Sequence, residues 1–560
     1  MRSAFSILLV FVSLGNALAQ SGCRASLSDV GEDAWQQLNA STNGRLVAVV
    51  PSAQYCYDVG CTDEQWVSST WRGENMPGSM LQPNWEQDYD SSPPELCFRN
   101  TTGNCKHGDV PWYAVLAETV EDIQAGVNFA RTNNLRLAIK ASGHDYLGRS
   151  TAKDSLLIST HGLQNFTVHD DFDGHGSAVT VGSGMGLRQI YPALKETGKI
   201  IVGGNAATVV AAGGYIQGGG HSALSPALGL AADNALQFTI VTADGEHITA
   251  DDTQNSDLFW ALRGGGAGSW GVIVSATFRA YNAFNATLAY TYLTTNSTNA
   301  TDIGSLMTTH AAHIHDFDAV HGGQYYYVLQ NATGDGKRGF YAHTFFPNVS
   351  ADTSKELMQP FLTEALATGA WGVLQEKYQE GVINDLIYAA DNEGAQNTFM
   401  GSRLVPETAY DEPEAIGTMY TRLFEAGAHS VLGHIVAGGK VTENADIDSA
   451  IHPKWRTAKT HVIVTNSWTD DADMSSVQNM RSLFQTAQRP IMEKVTGSDA
   501  GSYSNEGDAY EADFVTTFFG QQNYGRLSEI KTKYDPDDLF IVKAGVGSER
   551  WNEKGLCKVA

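Results

Sequence analysis

The sequence predicts an α+β fold in which an α/β domain is followed by a domain with an antiparallel sheet covered by helices. Two observations support this prediction. Between residues 111 and 278, short apolar stretches of strand length alternate with amphipathic helical stretches, which is the pattern of an α/β domain. From Tyr281 onward the strand candidates are longer, and the helical stretches between them favour an antiparallel sheet with helices on one face.

Length and composition set limits on this fold. The chain has 560 residues, which is too many for one small core and fits two or three connected units. A hydrophobic content of 42% indicates a globular protein and not a disordered one. The formal net charge of −26 argues against nucleic-acid binding, which requires a basic surface.

The N-terminus has the pattern of a secretory signal peptide. Arg2 precedes the apolar stretch 5–14, and Ala17-Leu18-Ala19 fits a small-residue cleavage site. No later stretch is long and apolar enough to span a membrane, so we expect a secreted, extracellular protein. We predict a signal peptide (1–19), a disulfide-pinned N-terminal segment (20–106), the α/β domain (107–280), the sheet domain (281–502) and a C-terminal segment that returns to the α/β domain (503–560).

Secretion would allow the cysteines to form disulfides and the glycosylation motifs to carry glycans. Six cysteines in an oxidising compartment suggest three disulfides among fifteen possible connectivities. The short loops Cys56–Cys61 and Cys97–Cys105 are the easiest to close, which would leave Cys23 to pair with Cys557. Candidate sites for N-glycans are Asn39, Asn100, Asn165, Asn285, Asn296, Asn299, Asn331 and Asn348.

Strand and helix candidates alternate through the α/β domain. Thr119 and Asp122 have the spacing of a helix cap, and Val120, Ile123 and Val127 continue at helical spacing. Further helical stretches are predicted at 187–194 and 257–262, and strands at 135–139, 154–160, 178–182, 200–202 and 272–278.

The sheet domain has longer strand candidates. Strands are predicted at 291–293, 324–329, 340–345, 433–441 and 461–468, and helices at 353–366, 414–425 and, in the C-terminal segment, 519–534. Because side chains alternate along a strand, one face of the run 325–327 should lie in the core and the other can line a substrate cleft. We expect His434 and His461, which lie on strands, to be core histidines with satisfied hydrogen bonds and not bases.

Two small-residue stretches are candidate ligand sites. Lys140 to Ser150 (KASGHDYLGRS) follows a predicted strand, and its small residues let a ligand approach the backbone. His144 in this loop can bond to a ligand, bind a metal, act as a base or serve a structural role. The stretch 203–220 contains seven glycines, which suits backbone that lies against a large rigid ligand.

Two other motifs are rejected, and two common metal-binding motifs are absent. Residues 266–271 match G-x-G-x-x-G, and Ser269 stands in a sequence similar to a serine-hydrolase elbow. Both motifs require a strand before the loop and a helix after it, but here the order is reversed. No Cys-x-x-Cys or His-Glu-x-x-His motif occurs, so we expect no metal site.

Four stretches in combination resemble a known superfamily. They are 143–150 (GHDYLGRS), 230–234 (LAADN), 257–266 (DLFWALRGGG) and 523–540 (NYGRL, then KYDPDDLF). They resemble the flavoproteins of the vanillyl-alcohol oxidase and p-cresol methylhydroxylase superfamily, and more closely the branch of berberine bridge enzyme and the fungal oligosaccharide oxidases. The resemblance runs from about Cys23 to the C-terminus and implies a two-part FAD-binding domain of the p-cresol methylhydroxylase type plus a substrate-binding domain.

The resemblance also implies how FAD is held. The histidine matching His144 bonds covalently to the 8α-methyl carbon of FAD, and many members add a second link from a cysteine, whose position here is Ala207. A single covalent link is therefore expected. With His144 and Ala207, the residues expected at the cofactor are Ala141, Ser142, Gly143, Asp145, Tyr146, Ser150, Gly204, Val210, Gly213, Gly214, Gly218, Gly219, His221, Gly271, Ile273, Asn505, Asn523 and Tyr524.

Catalytic roles follow from the same resemblance. Tyr503 matches a tyrosine that takes the substrate's hydroxyl proton, its phenol pKa lowered by neighbours, although a structural role is the alternative. Glu506 stands where relatives often have a second tyrosine. Val210 matches a position where valine accompanies the use of O₂ and leucine its refusal.

The expected function is therefore a secreted FAD-dependent oxidase. It would oxidise an alcohol carbon of a small molecule by hydride transfer to flavin N5 and reduce O₂ to H₂O₂. Sugars, oligosaccharides, aromatic alcohols and alkaloid-like amines, the last oxidised at a C–N bond, all fall within the range of the family. The alternatives are a flavin dehydrogenase with another electron acceptor, and a hydrolase or non-catalytic glycoprotein. We expect a monomer.

Overall fold

The computed structural model describes residues 22–99, 105–391 and 394–559. The predicted signal peptide (1–19) and the glycosylation motif at Asn100 lie outside these described residues. No helix within the described ranges is both long and apolar enough to cross a membrane. The asparagines of the other seven motifs are exposed, so burial does not prevent their glycosylation. Glycosylation itself stays a prediction.

The N-terminal part carries four short helices and joins the first sheet. The helices are α1 (Glu32–Ser41), α2 (Ser52–Val59), α3 (Asp63–Val67) and α4 (Ser69–Asn75). The strands of the first sheet are β1 (Leu46–Ala48), β2 (Tyr113–Leu116), β3 (Arg136–Lys140) and β4 (Ser155–Ser159). Their order is β1-β2-β4-β3, with β4 parallel to both β2 and β3.

The helix α5 (Val120–Thr132) connects β2 to β3 and begins where the sequence predicts. The Asp122 backbone N–H donates to Thr119 Oγ1 at 3.3 Å, and the Asp122 carboxylate accepts the Thr119 N–H at 3.0 Å. This reciprocal cap satisfies two backbone donors that a helix N-terminus otherwise leaves unpaired. Ile123 and Val127 are fully buried, which confirms the predicted apolar face.

A second sheet completes the first half of the chain and is antiparallel throughout. Its strands are β5 (Phe166–His169), β6 (Ala178–Gly182), β8 (Ala235–Val241), β9 (His247–Ala250) and β10 (Val272–Arg279). Their order is β5-β6-β10-β8-β9. The short strands β7 (Lys199–Ile200) and β11 (Tyr281–Asn282) pair in a separate two-stranded sheet. Short connections join β5 to β6 and β8 to β9, and such hairpins force antiparallel pairing. The helices are α6 (Leu187–Thr197), α7 (Ser225–Leu228) and α8 (Ser256–Leu262).

The second half is organised by a seven-stranded antiparallel sheet, as predicted. Its strands are β12 (Asn285–Thr295), β13 (Gly323–Leu329), β14 (Arg338–Pro347), β15 (Gly372–Val382), β16 (Asn397–Pro406), β17 (Ser430–Ile435) and β18 (Ala458–Trp468), in the order β15-β12-β14-β13-β17-β18-β16. Helices α9 (Ala300–Ala312), α11 (Ala351–Ala367) and α13 (Pro413–Glu425) share one apolar cluster with a single face of this sheet. On the opposite face, Leu288, Phe345 and Leu404 join the apolar cluster of the first half of the chain.

The remaining helices are shorter or lie near the C-terminus. They are α10 (Ile314–Asp318), α12 (Ile383–Leu386), α14 (Gly439–Glu443), α15 (Met474–Leu483), α16 (Arg489–Thr496) and α17 (Gln521–Tyr534).

Several predicted elements need correction. The strand predicted at 433–441 ends at Ile435, because Gly438 and Gly439 take φ values of 78° and 45°, and a helix follows. Strands β15 and β16 are not predicted at all. β15 is an edge strand whose first six residues are all exposed, so it lacks the alternation that marks a half-buried strand. The helix predicted at 519–534 begins at Gln521, after Gly520 with a φ of 78°.

All three predicted disulfides are present. Cys56–Cys61 and Cys97–Cys105 close short loops, and Cys23–Cys557 joins the two ends of the described chain. The backbones of Cys23 and Cys557 also form an isolated antiparallel β-bridge. Backbone pairing therefore holds the two ends together in addition to the disulfide.

Removing the terminal disulfide should destabilise the protein more than removing a short one. The cost of losing a disulfide is typically about 2–5 kcal/mol and grows with the loop that it closes. The sequence separation is 534 for Cys23–Cys557 and 5 for Cys56–Cys61. Urea unfolding of the two double Cys→Ser variants measures both losses, and a larger loss for Cys56/Cys61 would contradict the loop-closure account.

Candidate active site

One cavity brings together residues from both halves of the chain. It has a volume of about 320 Å³ and lies against the face of the seven-stranded sheet that the helices leave open. Its wall comprises the loop 139–150, parts of the glycine-rich stretch, residues 267–273, four strands of the sheet and residues 503–506. A concave site of this kind with a few converging polar groups is the usual form of a ligand pocket.

His144 is held in the wall by a turn that requires glycine. Gly143 has a φ of 85°, and a side chain there would meet the carbonyl oxygen of Ser79 at 2.8 Å. His144 Nδ1 lies 2.8 Å from Thr208 Oγ1, which fixes the ring. Burial lowers the pKa of His144 to about 4, so the imidazole is neutral at neutral pH.

Arg149 connects this loop to the C-terminal segment. Its Nε donates to Asp145 Oδ1 at 3.1 Å, and its two Nη atoms donate to the Ser504 carbonyl oxygen at 3.1 Å and to Asn505 Oδ1 at 2.9 Å. The Asn505 amide in turn donates to the Gly214 carbonyl oxygen at 3.0 Å. These bonds fix three segments, distant in sequence, around one cavity.

The glycine-rich stretch contributes bare backbone and unpaired polar atoms. Gly213 and Gly214 line the cavity. Ser183 Oγ and Gln217 Oε1 also belong to lining residues, are buried, and have no hydrogen-bond partner within the described part of the chain. Such atoms are rare in folded proteins, so a polar ligand is expected to complete them. FAD, with polar groups along its ring, ribose and phosphates, fits a wall of this composition.

Four ionisable side chains meet at the wall, three of them lining the cavity and one, His461, behind it; we call His221, His434, His461 and Glu506 the histidine cluster. The Glu506 Oε2 atom lies 3.0 Å from His221 Nε2 and 3.3 Å from His461 Nδ1. Burial alone would raise the pKa of Glu506, but the two histidines hold it well below its usual value. The carboxylate is therefore ionised inside the protein.

The sheet register places two of these histidines side by side. Tyr325 pairs with His434, and His434 pairs with His461, so the three side chains share one face of the sheet. Tyr325 and Tyr327 line the cavity and Tyr326 packs under the helices, as the predicted alternation requires. The expectation of satisfied core histidines is wrong, because His434 Nδ1 and His461 Nε2 are buried without a hydrogen-bond partner in the described ranges.

Tyr503 lines the cavity near the cluster. Its Oη accepts a hydrogen bond from Asn505 Nδ2 at 2.8 Å and lies 3.4 Å from the Tyr215 carbonyl oxygen. The family resemblance implies a lowered phenol pKa, and the structure corrects this. Burial and the negative charge of Glu506 raise the pKa of Tyr503 above its usual value, and the Asn505 hydrogen bond offsets only part of the rise.

Most residues predicted to contact the cofactor lie in the wall of this cavity, although contact with FAD itself stays a prediction. They are Ala141, Ser142, Gly143, His144, Asp145, Tyr146, Ser150, Gly204, Val210, Gly213, Gly214, His221, Gly271, Ile273 and Asn505.

Two predicted residues instead hold α17 in place. Asn523 Nδ2 donates to the carbonyl oxygens of Ala450 and Ile451 at 3.3 and 3.2 Å, and Tyr524 Oη donates to Glu549 at 2.6 Å. Neither residue reaches the cavity wall. The helix turns these side chains towards neighbouring loops, and their contact with the cofactor stays a prediction.

Three further predicted residues lie behind the wall and not in it. Asn505 packs directly against the backbone of Gly218, because a Cβ added to Gly218 would lie 2.5 Å from Asn505 Nδ2. Gly219 has a φ of 120° and shapes the turn. Ala207 is 1% exposed and donates its backbone N–H to the Ala390 carbonyl oxygen at 2.8 Å.

The wall also contains residues that the sequence did not single out. Some of these residues lie in or beside the predicted stretches and could have been found by extending each stretch by a few positions. Met400, Leu432 and Ile463 are identified only by the register of the sheet. The full set is Ile139, Arg149, Thr160, Ser183, Asn205, Ala206, Val209, Tyr215, Gln217, Ala267, Gly268, Met400, Leu432, Ile463 and Val542.

Comparisons with known proteins agree with this site. The chain matches a family described as FAD binding domain over residues 111–251 and one described as berberine and berberine like over residues 502–547. An uncharacterized FAD-linked oxidoreductase of Arthroderma benhamiae is 33% identical, over 94% of this chain and 93% of that protein. The VAO-type flavoprotein oxidase VAO615 of Thermothelomyces thermophilus is 32% identical, over 92% and 91%.

Solved structures extend the comparison. A VAO-type flavoprotein from Myceliophthora thermophila matches with a TM-score of 0.85 at 30% identity, over 96% of this chain and all (100%) of that one. The BBE-like 1 protein of Physcomitrella patens matches in fold, with a TM-score of 0.68 at 19% identity, over 91% and 98%. These relatives favour an oxidoreductase over the hydrolase and non-catalytic alternatives. The chain therefore belongs to the vanillyl-alcohol oxidase superfamily, as an FAD-linked oxidoreductase of the berberine bridge enzyme-like group.

Proposed function

We propose that this FAD-linked oxidoreductase is a secreted oxidase that holds FAD by one covalent bond to His144, oxidises an alcohol carbon of a small molecule and delivers the electrons to O₂. When bound, FAD supplies the chemistry of accepting a hydride and passing two electrons to an acceptor. The observation that carries the proposal is a neutral His144 imidazole in the cavity wall of a chain that offers no free thiol.

The state of the cysteines supports a single link. The sequence has six cysteines, and all six lie in the three disulfides. No thiol can therefore supply the second bond that many relatives form at the position of Ala207. His144 can supply the first, because a neutral imidazole keeps a nitrogen lone pair available for bonding. The paired cysteines also support export to an oxidising compartment.

Flavin should remain on the protein after denaturation. Purified wild-type protein, unfolded in acid or guanidinium and filtered, should keep its yellow colour on a peptide that spans His144. His144→Ala should release the flavin into the filtrate, while His247→Ala, which changes an exposed histidine, should not. Free flavin from denatured wild-type protein would show that the bond does not exist.

Tyr503 is proposed to take the hydroxyl proton of the substrate. The position of its hydroxyl in the cavity wall and the hydrogen bond from Asn505, which stabilises a phenolate, support this role. The Glu506 carboxylate opposes it by raising the pKa of Tyr503. Burial is the larger cause of the raised pKa, so Tyr503 must lose its own proton before it can accept one, and a positive charge close to Glu506 would favour that loss.

Tyr503→Phe tests this role, because it removes only the hydroxyl. Loss of a general base typically lowers a rate by ~10²–10⁴, so anaerobic flavin reduction in a stopped-flow instrument should slow by that order. Tyr341→Phe removes a hydroxyl outside the cavity wall and should change little. An unchanged rate in Tyr503→Phe would move proton acceptance to Tyr325, Tyr327, His434 or His461.

Use of O₂ is proposed from Val210. Val210 is 5% exposed and lines the cavity. The backbone of Gly213 passes close to its side chain, because a Cβ added to Gly213 would lie 3.3 Å from the Cβ of Val210. In the family that the sequence resembles, valine at this position accompanies oxygen use. Leucine is one methylene larger and fills the space that a gas molecule needs.

Val210→Leu should slow reoxidation of substrate-reduced enzyme by about tenfold or more, which corresponds to roughly 1.4 kcal/mol of barrier. Val210→Ala keeps the path open and serves as the control. Mixing reduced enzyme with oxygenated buffer measures the rate. If wild-type enzyme takes minutes to reoxidise in air while quinones react at once, the protein is a dehydrogenase and not an oxidase.

A further inference from the structure

We propose that the histidine cluster (His221, His434, His461 and Glu506) binds one divalent transition-metal ion in the wall of the cavity, where the ion binds an oxygen or nitrogen donor of the substrate. Metal binding itself is independent of the flavin chemistry. Only the role of the ion in binding the substrate rests on the proposed function.

The spacing of the cluster suits a shared ion. The four candidate ligand atoms all lie within 4.8 Å of one another. Two ligands that are each about 2.1 Å from a tetrahedral metal ion lie roughly 3.4 Å apart. The two contacts of Glu506, at 3.0 and 3.3 Å, are already close to that value, and modest ring rotations would bring His434 into the set.

Unpartnered nitrogens are the second observation that points to a ligand. His434 is 5% exposed and His461 is 0% exposed, yet His434 Nδ1 and His461 Nε2 have no hydrogen-bond partner among the residues that the structure describes. Buried polar atoms normally have a partner.

Four separate elements hold the cluster in place. His434 and His461 are paired across β17 and β18, His221 follows the glycine-rich stretch, and Glu506 belongs to the C-terminal segment. His221 Nδ1 lies 3.3 Å from Tyr325 Oη, which leaves Nε2 on the Glu506 side for the ion. A ligand histidine usually has its second nitrogen fixed in this way.

The ligand set indicates the class of metal. Three imidazoles and one carboxylate suit Zn²⁺, Co²⁺, Ni²⁺ or Cu²⁺, whereas Mg²⁺ and Ca²⁺ prefer oxygen ligands. His221, His434 and Glu506 line the cavity, while His461 lies behind them. The ion would therefore sit at the surface of the cavity, where a substrate atom can bind if the coordination expands from four to five, as it does in some zinc sites.

Metal binding is tested on the flavin-loaded protein after treatment with a chelator and dialysis. Titration with Co²⁺ should give d–d absorption at wavelengths longer than those of the flavin, and elemental analysis after Zn²⁺ loading should find one equivalent per chain. Glu506→Gln preserves the side-chain volume and should weaken binding by at least ~10²-fold, as a change in an outer-shell partner alone already costs 10–100-fold.

Two more variants complete the test. His434→Asn should lose the metal in the same way, while His315→Asn, which alters an exposed histidine, should bind as wild type does. A circular dichroism spectrum and a thermal unfolding midpoint close to those of wild type show that each variant is folded. Absence of stoichiometric binding of any of the four metals by wild-type protein, or equal affinity in Glu506→Gln and His434→Asn, overturns the proposal. If the protein binds the metal but oxidises no alcohol, the metal site is supported and the proposed function is contradicted.

Discussion

The cavity depends on the hydrogen bonds of Arg149, because they hold together segments that lie far apart in the sequence. One guanidinium contacts Asp145 in the His144 loop and both Ser504 and Asn505 in the C-terminal segment. Asn505 then reaches Gly214 in the glycine-rich stretch. Buried networks of this kind are stable only when every donor and acceptor is satisfied. These hydrogen bonds position the loop, the stretch and the C-terminal segment relative to one another.

Charge is the second constraint on the site. Glu506 is an ionised carboxylate in the cavity wall, and it raises the pKa of Tyr503. The proposed proton acceptor therefore has a negative charge close to it. His221 and His461 are the groups that face this charge most closely. A metal ion bound among them would offset the carboxylate and favour loss of the Tyr503 proton.

Sequence reasoning succeeds where the controlling interactions are local and fails where they are not. The cap of α5, the turn at Gly143 and the alternation of Tyr325 to Tyr327 follow from neighbours in the chain, and the structure confirms them. The juxtaposition of His434 and His461 depends on strand register, which no local spacing encodes. For the same reason no metal motif is visible, because the four cluster residues come from four elements. The pKa of Tyr503 also depends on burial, which only the folded chain defines.

The central claim is that FAD occupies the cavity between the His144 loop and the histidine cluster, bound through His144. A crystal structure of the purified protein tests this claim most directly. The account predicts continuous electron density from the His144 ring to the flavin, with the flavin ring lying between that loop and the residues Tyr503 and Glu506. A flavin bound elsewhere, or density in this cavity with a clear gap at His144, would contradict it.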